Sequence, residues 1–179
     1  MWLFVFSILF VDQLLKILIK TNLSIGDSVE ITPWFFIYFV ENNGFAFGLE
    51  FFGFYGKFFL TLLRIFFVFI IFNWINRLLK VGAHRSVLFA LLLIFSGAIG
   101  NIFDSVFYGV LFDYAPLFFG RVVDMFYFPI VSGHYPDWFP FWSNEPFVFF
   151  RFIFNIADSC ITIGAVLLLF FYKNIPIKY

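Results

Sequence analysis

The sequence has few of the residues that form disulfides or metal clusters. Its 179 residues include one cysteine and two histidines. The single cysteine, Cys160, excludes an internal disulfide and a cysteine-based metal cluster. His84 and His134 are isolated and match no metal-ligand spacing. No metal or other cofactor is therefore expected.

Charged residues are also scarce. They make up 12% of the chain, about half the share in an ordinary soluble domain, whereas hydrophobic residues make up 63%. Acidic and basic residues number 11 each, so nothing suggests the basic surface that binds nucleic acid. The composition predicts a polytopic membrane protein with no nucleic-acid partner.

Four stretches are long and apolar enough to cross a membrane, which takes about 20 helical residues. They are residues 1–19, 58–75, 87–108 and 147–172. The first has no basic n-region and no small-residue cleavage site, so we interpret it as a retained helix and not as a signal peptide. The predicted fold class is an all-α membrane protein with four transmembrane helices, forming a single domain over residues 1–179.

The segments that link these spans differ in charge. The link after the second span and the C-terminal tail contain five basic residues and no acid: Arg77, Lys80, Arg85, Lys173 and Lys178. Residues 20–57 and 109–146 together contain three basic and eight acidic residues. The positive-inside rule therefore predicts that both termini are cytoplasmic and that residues 20–57 and 109–146 lie on the outer side.

The two outer segments also differ from ordinary loops. Residues 20–57 include SVEITPWFFIYFV followed by ENNGFAFG, a pattern typical of short strands and a turn. We therefore expect a small extracytoplasmic β-rich segment on the membrane surface. Residues 109–146 include YPDWFPFW, and tryptophan and tyrosine favour the headgroup level, so this segment is predicted to lie in the outer interface.

Several polar residues in or beside the spans are predicted to share one depth. They are Asp12, Lys16, Asn101, Asp104, Asp124 and Asp158. At a rise of about 1.5 Å per residue, Asp158 lies about 22 Å and Asp104 about 27 Å above the cytoplasmic boundary. A charged residue in hydrocarbon costs roughly 2.5–3.5 kcal/mol on insertion scales, and such residues are usually functional. The shared depth predicts one polar site near the outer surface.

Four of these residues also have a purely structural interpretation. Asp12 and Lys16 are four residues apart and can form an ion pair on one helix. Asn101 and Asp104 can hold neighbouring helices together.

Asp124 and Asp158 are the candidates with the clearest chemistry. The alternatives are a solvated loop acid for Asp124, and a network with Arg151 on one helix face for Asp158. If the two carboxyl groups face each other, they cannot both ionise, and one proton is shared. Such a pair can activate a water against an amide carbonyl. The pair predicts a membrane aspartic peptidase, and a protein with a proton or ion pathway through its acids is the alternative.

Five motifs occur in a fixed order along the chain. They are DQLLK (Asp12–Lys16), ENNGFAFG (Glu41–Gly48), SGAIGNIFD (Ser96–Asp104), GRVVDMF (Gly120–Phe126) and FNIADS (Phe154–Ser159). Together they resemble the motifs of the lipoprotein signal peptidases, the type II signal peptidases of bacteria. The similarity covers nearly the whole chain, and FNIADS and NxGxAF are its most specific parts.

The resemblance implies an intramembrane aspartic endopeptidase of the bacterial inner membrane. Such enzymes cut prolipoproteins before a cysteine that carries a diacylglyceryl group, and they use no metal. By the same motifs Asp124 and Asp158 would be the catalytic pair. The residues implied to line the site are Asp12, Lys16, Asn42, Gly44, Asn101, Asp104 and Asn155. The resemblance also implies contact with membrane lipids, inhibition by cyclic peptide antibiotics that occupy the pair, and a monomer.

The sequence departs from the family pattern in three places. Ser105 stands where the family usually has an arginine, and we expect Arg121 or Arg151 to supply this guanidinium at the site. Phe45 occupies a usually small position. The two aspartates are separated by 33 residues, more than is usual, and the extra loop 131–146 is interpreted as a lid or an interfacial insertion.

Two other functions remain open at this point. The chain could be a polytopic binding protein in which the acids are structural. A transporter is disfavoured, because the sequence has neither paired broken helices nor an internal repeat.

Overall fold

Three helices in the described part of the chain are long and apolar enough to cross a membrane. The computed structural model describes residues 1–43 and 53–175. The helices are α1 (Trp2–Asn22), α2 (Gly53–Lys80) and α3 (Arg85–Phe103), and α3 continues through a π-helical turn (Asp104–Tyr108) into the short α4 (Gly109–Leu111). At about 1.5 Å per residue, these segments match a hydrocarbon core of about 30 Å. They correspond to the first three predicted spans.

Helix α2 begins earlier than predicted. The sequence placed residues 20–57 in an outer link, but α2 already begins at Gly53 and includes Lys57. Lys57 is only 6% exposed, and its ammonium group can be buried because it hydrogen-bonds to Asn43 O and Ser105 Oγ. The predicted link is therefore shorter, and a basic residue assigned to it belongs to a helix.

The fourth predicted span, residues 147–172, is wrong in its first part. Helix α5 covers Ile156–Phe170, and at 15 residues it is shorter than the other three helices. It begins there because Asn155 forms an N-terminal capping box with Asp158. Residues 147–154 are rich in phenylalanine, and their high hydropathy does not distinguish a helix from an extended strand. The hydropathy therefore extended the predicted span past the true helix start at the Asn155 cap. Arg151 precedes the helix and is exposed, so the predicted common face with Asp158 does not exist.

The outer segments form two antiparallel sheets. The strands are β1 (Ser28–Thr32), β2 (Phe35–Asn42), β3 (Val122–Tyr127), β4 (Val131–His134), β5 (Pro146–Phe149) and β6 (Ile153–Phe154). The first sheet has the order β1-β2-β3-β6, and the second is a hairpin of β4 and β5. The strands predicted in residues 20–57 are present, but the β structure also extends through residues 122–154, so it is larger than expected.

The first sheet connects the outer segments to the helices. In it Val40 of β2 pairs with Asp124, and Phe126 of β3 pairs with Phe154. Strand β6 then leads directly into the cap of α5 at Asn155. The two segments that carry Asp124 and Asp158 are thus hydrogen-bonded neighbours.

Glycines set the close approach of α3 and α5. A Cβ atom on Gly97 would collide with the carbonyl oxygen of Ala157, and one on Gly164 would lie 2.7 Å from the carbonyl oxygen of Ala90. A Cβ on Gly100 would lie 2.8 Å from Asp12 Oδ2, so this glycine allows the Asp12 side chain of α1 to approach α3. This packing holds the first turn of α5 against α3.

Candidate active site

One asparagine connects Asp124 with Asp158. Asp124 lies on β3 and is 3% exposed. Asn155 Nδ2 donates a hydrogen bond to Asp124 Oδ1 at 2.7 Å. Asn155 Oδ1 accepts the backbone N–H of Asp158 at 2.8 Å, and Asp158 Oδ2 accepts the backbone N–H of Asn155 at 3.4 Å. The residue that caps α5 is therefore also the bridge between the two carboxyl groups.

Each carboxyl group has a further amide partner. Asn42 Nδ2 donates to Asp124 Oδ2 at 3.2 Å, and Asn101 Nδ2 donates to Asp158 Oδ1 at 2.8 Å. These amides orient the carboxyl oxygens without adding a charge to the site. The structure thus brings three of the predicted lining residues to the two aspartates.

The two carboxyl groups do not have equal surroundings. Burial raises the pKa of Asp124 to about 7, and the nearby Asp158 charge contributes to the increase, although the hydrogen bond from Asn42 opposes it. Asp158 is half-buried and lies in the first turn of α5, where the positive end of the helix dipole favours an anion. Burial therefore favours a proton on Asp124.

Lys16 is the centre of a second, fully buried polar layer. Its Nζ lies 2.9 Å from Asp12 Oδ2 and 2.7 Å from Asp104 Oδ2, and it donates to Asn101 Oδ1 at 3.1 Å. The ion pair between Asp12 and Lys16 exists, as the structural interpretation predicted. It does not stand alone, however, because Lys16 holds Asn101, which in turn donates to Asp158.

Asp12 also acts on α5 directly. Its Oδ1 accepts the backbone N–H of Ala157 at 3.0 Å, one residue before Asp158. The sequence analysis missed Gln13, whose Nε2 donates to Asp104 Oδ1 at 2.8 Å. The DQLLK motif therefore supports the site indirectly: Asp12 acts through the backbone of Ala157, and Lys16 acts through Asn101.

The π-helical turn after α3 positions strand β3. Freed carbonyl groups in this turn accept hydrogen bonds from the returning loop: Ser105 O from Gly120 N at 2.9 Å, and Val106 O from Phe118 N at 3.1 Å. Asp104 Oδ2 also accepts the backbone N–H of Val123 at 3.4 Å. π-Helical turns are frequent at functional sites, and this one fixes the residue next to Asp124.

Arg121, one of the two arginines expected to supply the missing guanidinium, lies at the edge of the first sheet, and its role at the site stays a prediction. Arg121 forms an ion pair with Glu41 at 3.2 Å, and Glu41 also pairs with Lys20. The side chain of Arg121 is 48% exposed, and Arg151 is exposed as well. Glu41 therefore holds the Arg121 guanidinium at the edge of the sheet.

The basic group next to Ser105 comes from α2 instead. Lys57 Nζ lies 3.3 Å from Ser105 Oγ and donates to the carbonyl oxygen of Asn43 at 3.0 Å. The sequence analysis missed this residue and Arg64 of the same helix. The available signal was two basic residues seven positions apart in an apolar span, which places them on one face.

Some expectations lie outside this geometry. Gly44 and Phe45 lie outside the described residues. Within residues 1–43 and 53–175, no three His, Cys, Asp or Glu side chains are grouped as metal ligands would be.

Comparison with known proteins identifies the family. The model of the signal peptidase (SPase) II family matches residues 4–173 of the 179. The chain belongs to the signal peptidase II family. Among curated proteins of this family, the lipoprotein signal peptidase of Porphyromonas gingivalis (strain W83) is 46% identical over 93% of this chain and 80% of its own length. The lipoprotein signal peptidase of Amoebophilus asiaticus is 36% identical over 88% of this chain and 71% of its own length.

Solved structures agree with this family assignment. A bacterial membrane enzyme determined by the in meso method at 1.9 Å resolution has a TM-score of 0.66 and 28% identity, and the match covers 97% of this chain and 92% of the other. A second such structure, at 2.3 Å resolution, has a TM-score of 0.65 and covers 99% of this chain. The similarity of this signal peptidase II to the two structures therefore extends over almost the whole chain.

Proposed function

We propose that this protein is an intramembrane aspartic endopeptidase that removes the signal peptide from diacylglyceryl-modified prolipoproteins, cutting before the lipid-bearing cysteine. The observation that carries the proposal is the bridge by Asn155, which ties a buried Asp124 to Asp158 at the end of α5. The amides of Asn42 and Asn101 orient the two carboxyl groups further. This arrangement leaves one proton and one negative charge available for chemistry.

The reaction would use the two carboxyl groups in different roles. Asp158, as the carboxylate, accepts a proton from a water molecule while the water oxygen attacks the carbonyl carbon of the scissile amide. Asp124, protonated because its pKa is near 7, donates to the carbonyl oxygen. When the tetrahedral intermediate collapses, the carbonyl re-forms and returns its proton to Asp124, the C–N bond breaks, and the proton on Asp158 passes to the leaving nitrogen. The products are a peptide carboxylic acid, which then ionises in water, and the free amine of the lipidated cysteine.

The site would lie near the outer face of the bacterial inner membrane, with both termini in the cytoplasm. The basic residues Arg77, Lys80 and Arg85 cluster at the turn between α2 and α3, and the positive-inside rule assigns that turn to the cytoplasm. Asn101 and Asp104 lie at the opposite end of α3. A substrate held by its acyl chains, at about 0.8 kcal/mol per buried CH₂, would present the bond before its cysteine at this level.

One chain supplies every group of the proposed site. Asp12 and Asp158, near opposite ends of the sequence, meet through the backbone of Ala157. We therefore propose that the chain acts as a monomer and as one unit over its whole length. Cyclic peptides that occupy the aspartate pair would compete with the substrate.

Substitution of each aspartate tests the proposal. The measurement is cleavage of a diacylglyceryl-modified precursor in liposomes containing the purified protein. Asp124→Asn and Asp158→Asn should each lower the cleavage rate by at least about a thousandfold, since neither variant retains both a base and a proton donor. The matched control is Asp137→Asn, an exposed acid of the outer segment, which should cleave at the wild-type rate.

The same experiment separates the alternatives. Cleavage that survives in Asp124→Asn or Asp158→Asn would exclude the two-carboxylate mechanism. A wild-type protein that binds the lipidated precursor but never cuts it would favour a binding protein with structural acids.

A further inference from the structure

One face of α2 is polar and buried, although much of the helix is apolar and exposed. Lys57 is 6% exposed and Thr61 is fully buried, whereas Phe59 and Phe66 of the same helix are more than half exposed. Lys57 and Thr61 are four residues apart, so they lie on one side of the helix. The Thr61 hydroxyl donates to the carbonyl oxygen of Lys57 within α2, whereas the Lys57 side chain leaves the helix and reaches the candidate active site.

The Lys57 amine joins two elements of this site. Its Nζ donates to the carbonyl oxygen of Asn43 at 3.0 Å and to Ser105 Oγ at 3.3 Å. Ser105 is the second residue of the π-helical turn that follows α3. Both contacts need only N–H donors, which the amine supplies whether or not it carries a charge. Lys57 therefore connects the end of β2 with the π-helical turn.

The contact with Asn43 lies where the ladder between β2 and β3 ends. The last paired residues are Asn42 of β2 and Val122 of β3, and Asn43 is the next residue of the chain. Asn42 itself donates from Nδ2 to Asp124 Oδ2 at 3.2 Å. Because Lys57 holds the main chain one residue further on, it limits the movement of the strand end from which the Asn42 amide reaches Asp124.

The contact with Ser105 is fixed from the side of β3. The Ser105 carbonyl oxygen accepts the backbone N–H of Gly120, just before β3, at 2.9 Å. Phe58, the neighbour of Lys57 on α2, stacks on Phe119 with ring centroids 6.1 Å apart. The beginning of α2 therefore packs on the segment that leads into β3, and Lys57 extends from a helix end that is held in place.

We propose that Lys57 is a positioning residue of the peptidase: by tying Asn43 to Ser105, it holds the Asn42 amide on the carboxyl group of Asp124. This inference rests on the proposed function, since Asp124 is the group that would donate to the scissile carbonyl oxygen. Ser105 stands where the family usually has an arginine, and the basic side chain at this place comes from α2 in this chain.

Lys57→Met tests this role, since methionine keeps most of the side-chain length and removes both hydrogen bonds. The kcat for a diacylglyceryl-modified precursor in liposomes should fall about tenfold or more, because a small displacement of a reacting group is costly. The KM should stay within about twofold, since an interaction that serves only the reacting groups lowers kcat and kcat/KM equally. The matched control is Thr61→Val, one turn along the same buried face, which should leave both constants unchanged.

A double-mutant cycle shows whether Lys57 acts through Asn42. Asn42→Ala alone should lower kcat at least as much as Lys57→Met, because it removes the amide itself. The double variant should be no more than about twofold slower than Asn42→Ala, since residues in one chain of contacts are not additive. Losses that multiply in the double variant would mean that Lys57 affects the rate by another route, such as general packing, and would overturn the inference.

Ser105→Ala gives a milder form of the same test if Lys57→Met does not fold. It removes one of the two contacts of Lys57, so kcat should fall about threefold, with no further loss when it is combined with Asn42→Ala. A wild-type kcat in either Lys57→Met or Ser105→Ala would overturn the inference.

The role of Lys57 and the proposed function can fail separately. If Asp124→Asn and Asp158→Asn are inactive but Lys57→Met cleaves with the wild-type kcat, the peptidase stands and the positioning role is overturned. If either asparagine variant still cleaves, the two-carboxylate mechanism itself fails, whatever the rate of Lys57→Met.

Discussion

Asn155 donates from Nδ2 to Asp124 Oδ1 at 2.7 Å while its own Oδ1 accepts the backbone N–H of Asp158 at 2.8 Å. The same side chain therefore begins a helix and joins the two acids. The cap needs an oxygen acceptor, whereas the bridge needs an amide donor of sufficient length. Serine supplies the first and not the second, so the two roles of Asn155 can be separated by substitution.

Asn155→Ser and Asn155→Ala should both lower the cleavage rate by about a hundredfold, because the Asp124 carboxyl loses the donor that orients it. Only Asn155→Ala should also lose the helix cap, at about 1 kcal/mol of unfolding free energy relative to Asn155→Ser. The measurements are single-turnover cleavage and thermal unfolding in detergent. A serine variant that cuts at the wild-type rate would show that the bridge has no role in catalysis.

The cleavage rate should fall on the alkaline side of neutrality. The pKa of Asp124 is raised to about 7, so above that pH the pair loses its shared proton and no donor remains for the carbonyl oxygen. The rate should then decrease about tenfold per pH unit. It can be measured between pH 5 and pH 9 with saturating precursor. A rate that stays constant or increases through pH 8.5 would mean that Asp124 is not the proton donor.

Asp124→Asn should make the protein more stable at high pH. A carboxyl group with a raised pKa in the folded state stabilises the fold fully below its ordinary value of 3.8, and that contribution is lost as the pH increases through about 7. Asparagine does not titrate, so at pH 8 the variant should be more stable by about 1–4 kcal/mol, since one pKa unit corresponds to about 1.36 kcal/mol. Unfolding at pH 5 and pH 8 measures this difference.

The control for this effect is the exposed acid Asp137. Asp137→Asn keeps Asp124, so its unfolding free energy should differ between pH 5 and pH 8 by the same amount as that of the wild type. An Asp124→Asn variant no more stable than the wild type at pH 8 would contradict the buried, proton-retaining environment of Asp124.

The depth of the polar residues could be predicted because helical rise is constant. Counting from the basic turn placed Asn101, Asp104 and Asp158 at one level, and the structure links Asn101 to Asp158 at 2.8 Å. The proximity of Asp124 and Asp158 was harder to predict from the sequence, because it depends on the pairing of β3 with β6 and on the capping of α5 by Asn155. Periodicity carries no information on such long-range pairings.

The charged residues of α2 could not be recognised from hydropathy alone. Hydropathy averages over a window, so Arg64 was overlooked within the apolar span 58–75 and Lys57 was assigned to the outer link, although their spacing places them on one helix face. Arg121 was assigned to the site as a source of the guanidinium that is missing at Ser105, and its ion pair with Glu41 was not considered.

Gly97→Ala tests whether the site depends on the fit of α5 against α3. The new Cβ would collide with the carbonyl oxygen of Ala157, and backbone cannot move aside as a side chain can. The first turn of α5, with Asp158, must shift, so we expect a loss of about 1–3 kcal/mol in stability and at least tenfold in rate. Gly133→Ala is the control, since its Cβ would meet only the Phe147 ring, at 3.1 Å. Equal rates and melting temperatures for the two variants would show that this close packing does not position the aspartate.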